Sequence, residues 1–137
     1  MKIRKIIKFI LITMIGFMIG KIGVRELHDS KRPFKFEEYK TGEILEEAVR
    51  EKFPNGMDVH EAVNILENSG AKCSLDKSHE ARYPYIHKGA KYIATCSYQA
   101  DFLSLNPLIS YRIVLQTNAN YKLIYIDAMR VNGVFVI

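Results

Sequence analysis

The sequence predicts an α+β fold in which an αα-hairpin packs on one face of a three- to five-stranded antiparallel sheet, preceded by an N-terminal transmembrane or signal helix. Three observations support this prediction. A basic N-terminus precedes twelve uncharged residues, helical periodicity then covers two neighbouring segments, and strand-like alternation follows them. Helices that precede all the strands are typical of a two-layer α+β domain.

The first element is the apolar run of residues 9–20, which has a lysine at each border. At 1.5 Å per residue it covers about 18 Å, which is short of a hydrocarbon core of about 30 Å and typical of a signal peptide. Counting from 6 to 24 lengthens the run enough to span a membrane, and no Ala-x-Ala cleavage motif follows it. We therefore predict an uncleaved signal anchor over residues 1–24, with a cleaved signal peptide as the alternative.

The basic charge of the chain is concentrated at its N-terminus. The whole chain has 20 basic and 15 acidic residues. Residues 1–32 hold eight basic and two acidic groups, which leaves twelve basic and thirteen acidic groups, a net charge of −1, in residues 33–137. Because a domain without basic excess has no charged surface for a phosphate backbone, we predict that it does not bind nucleic acid.

Two short helices follow a segment without sustained periodicity. Residues 25–40 are predicted to form a juxtamembrane linker whose aromatic end docks on the domain, which covers residues 41–137. Helical spacing of apolar residues predicts a helix over 43–53 with Thr41 as N-cap, and a second over 59–69 that begins after Asp58. A tight Pro-Asn-Gly turn between them indicates an αα-hairpin.

The second half of the chain has the period of β-strands. Alternation along the chain predicts a strand over 91–99, and further strands, separated by turns and loops, are predicted over 71–75, 111–116 and 121–129. Asn132-Gly133 is a hairpin signal, so residues 134–137 form either a short return strand or a frayed end. Asp127, on the last long strand, has no partner evident in the sequence and is expected to face solvent.

The order of these elements resembles the small-protein-A/outer-membrane-lipoprotein domain, which is similar in fold to the repeat of β-lactamase inhibitor protein. The resemblance covers residues 41–127. Its local sequence similarity is Phe53-Pro54-Asn55-Gly56, which leads into a helix that closes at Gly70-Ala71. The lipid-attachment cysteine of that family is absent from this chain. The resemblance implies a non-catalytic binding or scaffolding domain of a bacterial envelope.

Cys73 and Cys96 are the only cysteines, and they lie on neighbouring predicted strands. In an oxidising compartment such a pair predicts a disulfide, whereas in the cytosol it would remain as two buried thiols. A zinc site formed with His79 and His87 would lack the short-spaced ligand pairs of structural zinc, so we predict no metal and no cofactor. A Cys96–His87 dyad is the basis of a third, enzymatic hypothesis, which we do not favour.

Two loops carry apolar residues where loops are usually polar, and we predict that these residues bind a partner protein. They are Tyr83, Tyr85, Ile86, Phe102, Leu103, Leu105 and Leu108. The alternative is that both loops fold back over the core or the sheet edge.

Together these expectations describe a single-pass protein of the bacterial inner membrane. Residues 6–24 contact the membrane, the domain faces the periplasm, and an envelope protein of unknown identity is its partner. The alternative is a periplasmic or secreted binding or inhibitor module released by cleavage.

Overall fold

The computed structural model of this protein describes residues 2–100 and 108–133, without the side chains of residues 2 and 21–30. The chain divides into two compact units, Met1–Arg32 and Pro33–Ile137. Each unit is described by itself below.

The first unit contains helix α1, Lys2–Ser30. Its apolar side chains between residues 3 and 19 are exposed on all sides of the helix. The helix extends beyond residue 24 and so includes the first residues of the segment that is predicted to be a juxtamembrane linker. Among the described residues, no helix is both long and apolar enough to cross a membrane, so the predicted transmembrane segment is not supported. The physical reason is the short uncharged run, which covers about 18 Å.

The second unit begins with residues that pack into its core. Phe34 and Phe36 are buried, and their rings meet edge-to-face with centroids 4.9 Å apart. Phe36 opens a short 3₁₀ helix, Phe36–Glu38. The backbone N–H of Phe34 donates to Oγ of the buried Ser69 at 2.9 Å, which attaches the segment to the end of a later helix. This segment is therefore part of the domain core.

The predicted αα-hairpin is present as α2, Gly42–Lys52, and α3, Val59–Asn68. Thr41 caps α2 by accepting a hydrogen bond from Ile44 N–H, and Asp58 caps α3 by accepting one from His60 N–H. Gly70 follows the C-cap residue of α3, Ser69, and its φ of +95° lies in the left-handed region that glycine adopts without strain. Both predicted caps are confirmed.

Among the described residues, the sheet has four antiparallel strands in the order β1-β2-β3-β4. They are β1 Lys72–Lys77, β2 Tyr92–Gln99, β3 Ile109–Thr117 and β4 Leu123–Asn132. Strand β1 is longer than predicted because its last two residues are exposed and polar, and so carry no alternation signal. Strand β4 begins later than predicted because Tyr121 belongs to the preceding turn, with φ +59°. Asn132 pairs with Ile109 at the end of β4, and residues 134–137 lie outside the described residues.

The helices cover one face of this sheet, as predicted. Apolar residues of α2 and α3 form one buried cluster with alternate residues of β2, β3 and β4. The opposite face of the sheet carries the intervening residues, among which Ile93, Val114 and Gln116 are also fully buried. Part of this outer face is therefore covered as well, and the connection between β1 and β2 lies over it.

Candidate functional site

The candidate site is the aromatic loop, which we define as residues 83–87, on the outer face of the sheet. The loop belongs to the connection between β1 and β2. Hydrogen bonds from Ser78 N–H to Lys91 O at 2.9 Å and from Lys91 N–H to Thr117 O at 2.7 Å close the base of that connection. The connection therefore starts and ends on the sheet, and its middle returns over the outer face.

Gln116 of β3 fixes the backbone of the aromatic loop. Its side chain is 0% exposed and lies on the outer face. Gln116 Nε2 donates to Tyr85 O at 2.8 Å, and Gln116 Oε1 accepts from His87 N–H at 2.7 Å. The nitrogen and the oxygen of this buried amide thus both bond to the backbone of the two residues that flank Ile86. Because an unpaired buried amide is costly, these bonds favour a single loop conformation.

Tyr83 makes a second attachment, to Asp127 of β4. The Tyr83 hydroxyl donates a short hydrogen bond to Asp127 Oδ2. Partial burial, and then this hydrogen bond, raise the pKa of the Tyr83 phenol, because ionisation would place a second negative charge beside the carboxylate. Asp127 does not stand alone in solvent, so that expectation is wrong. Tyr83 and Asp127 are 44 positions apart in the chain.

Tyr85 and Ile86 remain at the surface of the attached loop. Tyr85 is 52% exposed and Ile86 is 44% exposed. Tyr125 of β4 supports the loop from below, since its ring lies 5.3 Å from the ring of Tyr85 and stacks at 5.3 Å on His87. Partial desolvation in this cluster raises the pKa of Tyr125. The site therefore combines a fixed backbone with exposed aromatic and aliphatic side chains.

Folding back is confirmed for Tyr83, and partner binding through Tyr85 and Ile86 stays a prediction. Tyr83 folds back onto the sheet, as the alternative predicted. Tyr85 and Ile86 do not, and they are available for contact with a partner. The structure therefore brings these two candidates together and gives Tyr83 an anchoring position.

The second group of candidates is only partly described. Phe102, Leu103 and Leu105 lie outside the described residues. Leu108 is exposed, and its carbonyl accepts a hydrogen bond from Gly133 N–H at 2.7 Å beside the start of β3. Its participation in partner binding stays a prediction.

Cys73 and Cys96 form a disulfide, as predicted. They are directly opposite each other in the ladder between β1 and β2. Because the Cys96 sulfur is bonded to Cys73, it is not available as a thiolate nucleophile or as a zinc ligand. The alternatives of a Cys96–His87 dyad and of a cysteine–histidine zinc site are both wrong. Within residues 2–100 and 108–133, no group of three or more potential ligands is placed to hold a metal ion.

Gln116 and Tyr125 are not singled out by the sequence, and Asp127 is expected to face solvent, although all three residues hold the loop. The sequence signal for this attachment is a polar residue, Gln116, at the end of an apolar strand. In the structure Gln116 is opposite Tyr125 in the register. Strand alternation places Gln116 on the outer face, but it does not indicate which segment would cover that face. That information depends on the path of the loop.

Comparison of the chain with protein-family models, with curated proteins and with solved structures gives no match.

Proposed function

We propose that residues 33–137 form an exported, non-catalytic domain that binds another protein of the bacterial envelope through Tyr85 and Ile86. The observation that carries this proposal is the fixation of the loop by buried Gln116, which leaves these two side chains exposed. Aromatic residues are enriched among the strongest contributors to interfaces. A loop that is ordered before binding loses less conformational entropy when the complex forms.

The charges next to these residues indicate which partner surface would fit. Arg82 and Lys88 flank the aromatic loop in the chain, and both are exposed. An apolar pocket with an acidic rim would complement this arrangement, because opposite charges around an apolar centre speed association and select the partner. Partners with a basic surface are disfavoured at this site.

The disulfide and the N-terminal unit support export. Disulfides persist in oxidising compartments and are rare in the cytosol. Helix α1 begins with several basic residues and continues with the exposed apolar residues 9–20, an arrangement that is typical of an export signal. We place the domain in the periplasm, either held at the membrane through residues 6–24 or released as a secreted binding module.

Site-specific photo-crosslinking tests the binding surface. A photoreactive phenylalanine at position 86 should give a discrete crosslinked product in cells, because Ile86 would lie in the interface. The same residue at position 47, an exposed site on α2, is the matched control and should give none. Ile86→Asp should abolish the partner complex, whereas Glu47→Lys should not.

Equal crosslinking at positions 86 and 47, or a complex that survives Ile86→Asp in a folded chain, would contradict the proposed surface. Fractionation tests the location separately. Export predicts a periplasmic domain with its disulfide formed. A full-length band that resists carbonate extraction would indicate retention at the membrane, and a shortened soluble band would indicate release. A cytosolic chain with both thiols reduced would contradict export.

A further inference from the structure

Strand β1 is an edge of the sheet whose outer side carries backbone groups without partners in the described parts of the chain. Ser78 N–H bonds to Lys91 O across the ladder, and bonded pairs alternate along antiparallel strands. The Cys73–Cys96 and Leu75–Ala94 pairs are therefore the non-bonded ones. The Cα atoms of the two cysteines are 4.0 Å apart, in agreement with the shorter spacing of such pairs.

The alternation points the N–H and C=O groups of Cys73 and Leu75 away from β2. Outside the sheet ladder, no described backbone group donates to or accepts from these four atoms. The opposite edge is different. On β4, Leu123 exchanges hydrogen bonds with Gly56 N–H and Met57 O, and Arg50 donates to Ile126 O at 3.3 Å. The αα-hairpin thus occupies one edge of the sheet, and no strand of the described residues pairs with the outer side of β1.

We propose that the open edge binds a second copy of this chain, as an antiparallel pair of β1 strands related by a two-fold axis at Ser74. In this register Cys73 is opposite Leu75 of the second copy, and each of these residues has both backbone groups directed outward. The pair forms four backbone hydrogen bonds across the axis and joins the two four-stranded sheets into one of eight strands.

The backbone of Lys77 selects this register over its neighbour. Pairing Leu75 with itself would set Cys73 opposite Lys77 of the second copy. The carbonyl of Lys77 already accepts from Glu80 N–H at 2.9 Å and Ala81 N–H at 3.1 Å. A carbonyl oxygen has two lone pairs, so it has none left for Cys73 N–H. The two-fold axis at Ser74 uses none of these occupied groups.

The side chains of β1 favour the same register through their charges. A two-fold axis at Ser74 places Lys72 opposite Asp76 of the second copy, so each dimer has two pairs of opposite charge. Parallel in-register pairing would instead place each of these residues opposite its own like charge, which is unfavourable. On the other face, Leu75, which is 38% exposed, would contact the disulfide of the second copy and lose apolar surface to it.

Charge reversal followed by sedimentation velocity of the full-length chain tests this interface. Lys72→Glu alone and Asp76→Lys alone each turn two attractive pairs into repulsive ones, and should raise the dimer dissociation constant about tenfold. The double variant Lys72→Glu/Asp76→Lys exchanges the charges and should restore wild-type association. Circular dichroism melting of each variant verifies that both residues, which are exposed, leave the fold intact.

A backbone variant provides the second arm. The N–H of Leu75 points outward, so Leu75→Pro removes no hydrogen bond from the sheet of its own chain but two from the dimer. It should sediment as a monomer. A wild-type chain that is monomeric at about 100 µM would overturn the proposal. A dimer that neither charge reversal weakens would also overturn it, because association through α1 would behave in that way. A double variant that fails to restore dimerisation would overturn it as well.

Discussion

Gln116 shows how one buried polar side chain determines the shape of a surface loop. Its amide is fully buried, and both of its ends bond to backbone groups of the aromatic loop. A leucine of similar size could fill the same space but could not bond to Tyr85 O or His87 N–H. The orientation of Tyr85 and Ile86 therefore depends on a residue that no partner would contact.

Gln116→Leu is expected to destabilise the domain by about 1–3 kcal/mol, because two partly buried backbone groups lose their partner. The free energy of unfolding in urea measures this loss, and hydrogen exchange at the His87 amide should accelerate. The control is Gln99→Leu, because Gln99 lies in β2 on the same face of the sheet as Gln116 but is exposed. It should change stability by less than about 0.5 kcal/mol. Equal effects of the two changes would show that the amide bonds do not hold the loop.

Tyr83 and Asp127 make a pH-dependent contribution. Tyr83→Phe should cost about 1 kcal/mol at pH 7, a value reduced from that of a buried charged hydrogen bond because solvent reaches the pair. The pKa of Tyr83 is raised in the folded state. Its stabilisation is therefore fully present below the ordinary tyrosine pKa of about 10 and is lost as the pH rises through the folded-state pKa. Unfolding measured from pH 7 to pH 11 should show the difference between wild type and Tyr83→Phe shrinking above about pH 10, and a difference constant with pH would contradict this assignment.

At the scale of elements, the disulfide joins the edge strand to the rest of the sheet. Strand β1 pairs on one side only and is mostly exposed, so few buried contacts hold it. The Cys73–Cys96 bond links it covalently to β2, across a sequence separation of 23 residues. A cross-link of that span restricts the unfolded chain, and the β1–β2 pair is the element that benefits most.

Replacing both cysteines by alanine should lower the free energy of unfolding by about 3 kcal/mol in the chain-entropy model. Urea denaturation with and without reductant measures the loss: the reductant should destabilise the wild type and leave the double variant unchanged. A wild type that is insensitive to complete reduction would contradict a stabilising role. Because both alanines remove the thiols, disulfide exchange cannot produce the effect in the variant.

At the scale of the whole molecule, the domain core extends to residues that precede both helices of the hairpin. Phe36 stacks on Tyr98 of β2 with ring centroids 4.4 Å apart and also contacts the ring of Tyr111 on β3. The sequence predicts only that the aromatic end of a linker docks on the domain, since three separated aromatic residues establish no period. Their burial is a property of the assembled sheet and helices.

Phe36→Ala should therefore destabilise the domain by about 3–5 kcal/mol, the range for removing a buried aromatic ring. Thermal unfolding followed by circular dichroism measures the change. Lys35→Ala, at a neighbouring position that is not buried, should have little effect. If Phe36→Ala unfolded at the wild-type temperature, residues 33–39 would be a dispensable linker.

The predictable part of this protein is the part with local periodicity. Helices α2 and α3, their caps at Thr41 and Asp58, and the order of helices and strands along the chain could be derived because each depends on residues within a few positions of one another. The ends of β1 and β4 could not, because pairing with β2 and β3 decides where they stop. The candidate site was predictable only in part. The apolar composition of the loop could be seen in the sequence, but its attachment to Gln116 and Asp127 could not, because those residues are distant in the chain.

The sequence by itself determined that the helices precede the strands, that residues alternate between two faces along β2, and that the two cysteines lie on neighbouring strands. These features follow from spacing along the chain. Only the tertiary structure decided that Tyr83 is an anchor while Tyr85 and Ile86 stay exposed. The physical reason is distance in sequence: Asp127 and Gln116 reach the loop from strands that approach it only after the sheet has formed.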